Sequence, residues 1–175
     1  NIEKSLTLKS ENGYTSTTLI SPNAYGIIYI YSEKVIIDGF TMYGAQNSYA
    51  IHFAYYSSYC IIRNNRIGLD DTQYNKNGIY VYDSDYLTIE KNIFHSNTEI
   101  CINLHNIHYS NILFNTFIGS QYAIEMSYDS DYNYIYQNSF INQLQSPFNI
   151  SRGSFNYFHS PFEITYTWNG SQYRS

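Results

Sequence analysis

A repeat of about 23 residues runs along the chain and restricts the folds that it can adopt. Copies open with a small residue followed by isoleucine, at Gly26, Ala50, Gly78, Cys101 and Ala123. A second phrase, Ile-x-x-Asn-x-(Phe or Ile), follows in each copy. It is complete at Ile62–Ile67, Ile89–Phe94, Ile112–Phe117 and Ile135–Phe140, and it lacks its asparagine at Ile37–Met42. A unit this short cannot bury its own apolar side, so the copies must stack into a solenoid.

Alternation within each copy predicts short strands rather than helices. Ile79 and Val81 alternate with Tyr80 and Tyr82, and polar corners separate such runs. Isoleucine and tyrosine, which favour strands, number 24 and 22, whereas alanine and leucine, which favour helices, number 5 and 8. The scarcity of leucine also argues against a leucine-rich horseshoe. We therefore predict an all-β fold, a single-stranded right-handed parallel β-helix with three short strands per coil and about six coils.

Stacking is expected to place equivalent residues of successive copies in columns. The isoleucines that open the second phrase are predicted to form one inward column, and the residues that close it a second. The asparagine of that phrase is predicted to form a structural ladder at a corner, where it tolerates left-handed backbone and bonds to the coils above and below. The ladder contains Asn65, Asn92, Asn115 and Asn138.

The pattern decays after Pro147 and predicts where the solenoid ends. We assign residues 1–158 to the parallel β-helix and residues 159–175, which hold the only tryptophan, to a C-terminal tail that leaves it. Because the chain opens with Asn1 rather than methionine, we expect it to be an excised piece, with any targeting segment lost.

The overall charge and the cysteines exclude several classes of function. A net charge of -5 argues against binding nucleic acid through its backbone, which needs a basic stripe. No run of about 18 apolar residues occurs, so this segment has no membrane span. Cys60 and Cys101 fall at different registers two coils apart, which predicts small buried residues rather than a disulfide.

The repeat phrases resemble the right-handed parallel β-helix repeat family, in particular its NosD-like and CASH-type members with the pectin-lyase-like fold. The resemblance rests on Lys4–Leu8, Val35–Phe40, Gly78–Val81 and the Asn-x-Phe corners. It implies an exported protein: a periplasmic accessory of nitrous oxide reductase maturation, a surface-layer-type protein or a polysaccharide-processing enzyme. Copper handling of the NosD kind would need clusters of methionine or histidine, and two methionines and five scattered histidines do not supply them.

One polar cluster is predicted at the first corner of three successive coils. The repeat aligns two short columns there, which contain Asp83, Asn106 and Asp129, and Asp85, His108 and Asp131. The functional interpretation is a cation site, with Ca²⁺ held by oxygens or a transition metal held by His108. The alternative is that these side chains cap turns while His108 bridges two acids.

A row of tyrosines runs beside that corner, one per coil at the same register. The row contains Tyr59, Tyr86, Tyr109 and Tyr132. Outward rings at strand spacing can form a platform for sugar rings or for another protein surface. The alternative is that the stacked rings only stabilise the corner.

Two hypotheses for the function follow. The first is a non-catalytic module of an extracellular, cell-surface or periplasmic protein, which acts as a structural spacer, as a strip that binds polysaccharide, or as a self-assembling unit. Its partners would be copies of itself or neighbouring surface-protein domains, joined through the coil ends. The second is a carbohydrate-active enzyme, a lyase, hydrolase or epimerase, with its site around His52 or the Asp83–Asp131 corner. The outward candidates on the first strand of each coil, His52, Tyr80, Asn103 and Glu125, offer one carboxylate and one imidazole rather than a carboxylate pair.

Overall fold

The computed structural model describes residues 1–151 and 155–158, together with the backbone of residues 165–168 and 171–174. All its regular elements are strands. In chain order they are β1 (Thr7–Lys9), β2 (Thr18–Ile20), β3 (Ile28–Ile30), β4 (Ile36–Asp38), β5 (Thr41–Tyr43), β6 (Tyr49–Phe53), β7 (Ile61–Arg63), β8 (Arg66–Ile67), β9 (Asn77–Tyr82), β10 (Thr88–Glu90), β11 (Ile93–His95), β12 (Ile100–His105), β13 (Asn111–Leu113), β14 (Thr116–Ile118), β15 (Tyr122–Ser127), β16 (Tyr134–Tyr136), β17 (Ser139–Ile141), β18 (Phe148–Ile150), β19 (Thr165–Trp168) and β20 (Ser171–Arg174).

Strands β1 to β18 form three parallel sheets of six strands, with one strand of each sheet in every coil. The lateral sheet contains β3, β6, β9, β12, β15 and β18; the second sheet starts with β1 and the third with β2, and each takes every third strand. Each strand pairs with its equivalent one coil away, as in the register Ile62↔Ile89↔Ile112. The predicted parallel β-helix of six coils and three strands per coil is confirmed.

Two inward columns fill the core, as the repeat predicts. The isoleucine column contains Ile37, Ile62, Ile89, Ile112 and Ile135, and the second column contains Met42, Ile67, Phe94, Phe117 and Phe140. All ten side chains are buried. The three phenylalanine rings stack face to face, with centroids 5.0 Å and 5.3 Å apart. Burial of these columns supplies the apolar contacts that a single coil lacks.

The asparagine ladder is also present, and its members are buried. The Oδ1 atom of Asn65, the first member, accepts the backbone N–H of Phe40 at 2.9 Å. Each later Oδ1 atom accepts two bonds from the preceding asparagine, one from its backbone N–H and one from its Nδ2; for Asn115 these come from Asn92 at 3.0 and 3.1 Å. The Nδ2 atom of Asn115 in turn donates to Asn138 Oδ1 and to the carbonyl of Ile89. The ladder therefore satisfies the polar groups of a dry corner.

The ladder asparagines do not themselves take left-handed backbone, which corrects that part of the prediction. The positive φ angles fall on the residue before each one, as at Asn64 (φ 55°), Lys91 (55°), Phe114 (56°) and Gln137 (54°). The left-handed residue turns the chain between two strands, and the asparagine after it then points inward to close the ladder. One residue therefore turns the chain, and the next one forms the ladder hydrogen bonds.

The end of the chain departs from the parallel pairing. Tyr157 still pairs in parallel with Tyr134, whereas β19 and β20 form a two-stranded antiparallel sheet. The boundary between residues 158 and 159 stays a prediction. The part of the chain that the structure describes contains no helix long and apolar enough to cross a membrane.

Candidate functional site

The outward side of the lateral sheet carries aromatic, imidazole and amide side chains in parallel columns. Strand pairing aligns one column through five of its strands, Tyr29, His52, Tyr80, Asn103 and Glu125, and extends it to Asn149. The four outward candidates predicted on these strands are therefore brought together. The next column contains Tyr82, His105 and Ser127. We call this surface the lateral face.

Ring contacts join the lateral face into one continuous cluster. Tyr80 is at its centre, with its ring centroid 5.0 Å from His52 and 5.3 Å from His105. Tyr49 packs against the same two rings, with its centroid 4.8 Å from that of Tyr80 and 6.3 Å from that of His52. His105 also stacks on Tyr128, at 5.3 Å. Rings at these distances restrain one another, so the face is pre-organised before any ligand arrives.

The lateral face is uncharged over most of its area near neutral pH. Burial lowers the pKa of His52. Burial also lowers the pKa of His105, although the carboxylate of Glu125 acts in the opposite direction. Burial raises the pKa of Tyr80. Neutral imidazoles and phenols each offer a donor and an acceptor, so the face can form hydrogen bonds without electrostatic selection for a charged ligand.

The lowered histidine pKa values predict that stability depends on pH in a definite direction. Above the unfolded value of about 6.5 both states are neutral. As pH falls below it the unfolded chain takes up protons first, so stability decreases until the folded pKa is passed. We expect His52→Phe, which keeps a ring but cannot titrate, to reduce the loss of stability between neutral pH and pH of about 5. Urea unfolding at both pH values measures this, and an equal loss in variant and native chain would contradict it.

Amide and carboxylate groups lie at one end of the face. Asn103 is buried; its Nδ2 atom lies 3.4 Å from the hydroxyl of Tyr49, and its Oδ1 atom has no hydrogen-bond partner. Glu125 accepts a hydrogen bond from Asn149, at 2.6 Å. The aligned column contains a single carboxylate. This geometry suits hydrogen bonding more than glycoside hydrolysis, which uses two carboxyl groups.

The corner with the predicted cation site is a set of paired side chains. Asn106 donates to Asp83 at 2.5 Å, and Nδ1 of His108 lies 3.1 Å from Asp85. Asp131 accepts the backbone N–H of Phe155. Asp129, which has left-handed backbone, is exposed. Among the described residues no group of three or more His, Cys, Asp or Glu side chains is placed to hold a metal ion. Cation binding at this corner stays a prediction.

The predicted tyrosine row forms a column of rings that stack on one another. Successive centroids of Tyr59, Tyr86, Tyr109 and Tyr132 lie 4.9, 5.3 and 5.4 Å apart, and the planes differ by no more than 13°. All four residues have positive φ, a conformation that tyrosine seldom adopts. The interior rings cover each other's faces, so the column presents ring edges and hydroxyl groups to solvent. Ligand binding by the column stays a prediction.

Several members of the lateral face were not predicted from the sequence. Tyr49, Tyr55, Tyr82, His105 and Tyr128 join the cluster through ring contacts. Alternation alone could have placed Tyr82 and His105 outward, since they lie two residues beyond Tyr80 and Asn103. Tyr55 and Tyr128 lie in corners, where alternation ends and gives no signal.

The sulfur-containing side chains, which are the soft metal ligands of the chain, lie in the core. Met42, Met126, Cys60 and Cys101 are all buried, and both cysteines are free, as predicted. Burial raises the pKa of Cys60 to about 11 and that of Cys101 to about 12. Thiols that stay protonated and enclosed are poor nucleophiles and poor metal ligands.

Comparison with known protein families assigns the chain to a family. The family model described as periplasmic copper-binding protein (NosD) matches residues 1–175. No curated protein and no solved structure matches the chain.

Proposed function

The chain belongs to the NosD family, and from this premise we propose that it is a non-catalytic β-helix module of an exported protein that binds neutral polysaccharide on its lateral face. The family is described as periplasmic. The cell surface is the other location in which the module would meet polysaccharide. The observation that carries the proposal is the continuous, uncharged cluster of rings around Tyr80.

The chemistry of this cluster suits a glycan. Sugar rings have apolar C–H faces, which pack on aromatic rings, and hydroxyl groups, which bond with neutral donors and acceptors. The lateral face provides rings in Tyr80 and Tyr82 and neutral donors and acceptors in His52, His105 and Asn103. A rigid strand platform also lowers the entropy lost on binding, because its side chains are already ordered.

Tyr80→Ala is expected to weaken polysaccharide binding about tenfold or more, as a loss of about 1.4 kcal/mol would. The reason is that Tyr80 contacts both histidines and holds the cluster together. Isothermal titration with neutral oligosaccharides of glucose, mannose and galactose measures it. Tyr134→Ala, which removes an exposed ring from the second sheet, is the matched control and is expected to bind like the native chain.

The same titration separates the lateral face from the tyrosine column. If the column binds the glycan, the double variant Tyr86→Ala, Tyr109→Ala loses affinity and Tyr80→Ala does not. Because the interior rings of the column cover one another, we expect the opposite result.

Cleavage of the oligosaccharide by the native chain would instead support the hypothesis of an enzyme, for which Glu125 is the carboxylate on the lateral face.

Copper, which the family description names, does not fit the described residues. The thioether and thiol groups that Cu(I) prefers are enclosed in the core. His52 and His105 lie on either side of Tyr80 and contact its ring, so they do not share one ligand position. His105 also lies 3.1 Å from the hydroxyl of Ser127. We derive no role for copper in this module.

Titration with Cu(I) and Cu(II) is accordingly expected to show no stoichiometric binding to the native chain. Competition with a chromophoric chelator measures it, and the double variant His52→Phe, His105→Phe serves as the reference. One equivalent of tightly held copper, lost in that variant, would contradict the assignment.

A parallel titration with Ca²⁺ tests the cation site predicted at the corner. A rise in melting temperature that Asp85→Asn abolishes would support that site.

The structural part of the proposal concerns the first coil. Leu8 of β1 is exposed, at 38%, although Ile37, its pairing partner in the next coil, is fully buried. We propose that this end is covered by another coil, from a second copy or a neighbouring module. Light scattering over a range of protein concentration tests this, because end-to-end contacts produce growing particles and their absence leaves a monomer.

A further inference from the structure

One outward position of the lateral face carries a small side chain among rings. Ala54 follows β6, and because His52 pairs with Tyr80, Ala54 lies one coil away from Tyr82. On its other side Tyr82 stacks on His105, at 6.2 Å. The coil before Tyr82 therefore places a methyl group at the position where the next two coils place the rings of Tyr82 and His105.

This gap is a pocket of about 280 Å³. We call it the Ala54 notch; it is lined by His52, Phe53, Ala54, Tyr55, Tyr80 and Tyr82. Tyr55 forms one wall and meets Tyr82 edge-on, with centroids 4.9 Å apart. His52 and Tyr80 form the other wall. The pocket is continuous with the ring cluster and is held by strands on both sides.

The lining selects for a neutral ligand with one apolar face and a polar rim. None of the six side chains carries a charge near neutral pH, so no cation is available for a carboxylate or phosphate group. The phenols of Tyr55, Tyr80 and Tyr82 and the imidazole of His52 offer donors and acceptors around the opening. The face of Tyr82 offers a stacking surface.

We propose that the Ala54 notch is the subsite that takes a single pyranose ring of a neutral glycan, with its C–H face on Tyr82 and its hydroxyl groups on His52 and the tyrosines. This inference rests on the proposed function and adds to it a position and a specificity. Neutral sugars bind there, whereas uronic acids are rejected because their carboxylate would be desolvated without a partner.

Filling the notch tests the inference. Ala54→Tyr is expected to weaken binding of the preferred neutral hexasaccharide at least about tenfold, as a loss of about 1.4 kcal/mol would. Thr88→Tyr adds the same ring to the second sheet, controls for the added aromatic surface, and is expected to bind like the native chain. The corresponding oligogalacturonide is expected to bind none of the three proteins.

The outcomes separate this inference from the proposed function. If the native chain binds the neutral sugars and Ala54→Tyr binds them equally well, the notch is not the subsite but the lateral face remains the binding surface. If the native chain binds none of the panel, both are overturned. Should Ala54→Tyr fail to fold by circular dichroism, saturation-transfer NMR on the native chain decides instead: transfer from Tyr82 ring protons to the sugar supports the notch, and transfer only from other tyrosines contradicts it.

Discussion

Phe117→Ala is expected to lower the free energy of unfolding by about 3–5 kcal/mol, the usual cost of removing a buried phenylalanine ring. Phe117 is fully buried and stacks between Phe94 and Phe140, at 5.0 and 5.3 Å. Its removal opens a cavity in the middle of the column, where the neighbouring coils hold the space open. Urea unfolding followed by circular dichroism measures the change.

Phe114→Ala is the matched control for this prediction. Phe114 lies three residues earlier, with 45% of its surface exposed and a left-handed backbone. Alanine takes that backbone no more easily than phenylalanine, so we expect a change within about 0.5 kcal/mol. Equal losses in the two variants would show that the phenylalanine column does not form the core.

Asn115→Ala is expected to destabilise the chain by more than about 3 kcal/mol, because each buried polar group left unpaired costs about 1–3 kcal/mol. The substitution removes the acceptor of Asn92 N–H and Nδ2 and the donor to the carbonyl of Ile89. None of these groups can reach water inside the corner. The variant therefore separates the effect of ladder bonds from that of apolar packing.

Asn111→Ala gives the comparison, since Asn111 is half-buried on the outward side of β13. We expect it to change the free energy of unfolding by about 0.5 kcal/mol or less. Thermal unfolding of both variants at one pH is sufficient. A ladder variant as stable as the surface variant would mean that water or a shifted backbone satisfies the corner.

The coils and their columns could be predicted from the sequence because stacking brings residues one repeat apart into contact. Once Ile89 and Ile112 occupy the same position of consecutive copies, parallel pairing brings them one strand spacing apart. The asparagine ladder follows from the same register. The family resemblance rests on these positions too, and the family match covers the whole chain.

The details at the corners could not be predicted because they depend on single-residue backbone geometry. The left-handed position fell on Asn64 rather than Asn65, a shift of one residue that the repeat does not encode. The orientation of the Tyr86 ring depends on side-chain torsions, so the sequence did not indicate whether the tyrosines would present faces or edges. The pairing of Asp83 with Asn106 likewise depends on which way each side chain turns.

The lateral face was predicted only in part, for a related reason. His52, Tyr80, Asn103 and Glu125 follow from strand alternation. Tyr55 and the gap at Ala54 lie just after β6, where alternation ends. A pocket formed by one small residue among rings is visible only when the neighbouring coil is in place.

The most direct test of the account is an NMR titration of the full chain with a neutral hexasaccharide, observed through the aromatic and imidazole protons. Binding at the lateral face predicts shifts at His52, Tyr80, Tyr82 and His105, with the resonances of Tyr134 unchanged. Shifts confined to the column of Tyr59, Tyr86, Tyr109 and Tyr132, or no shift at saturating sugar, would contradict it.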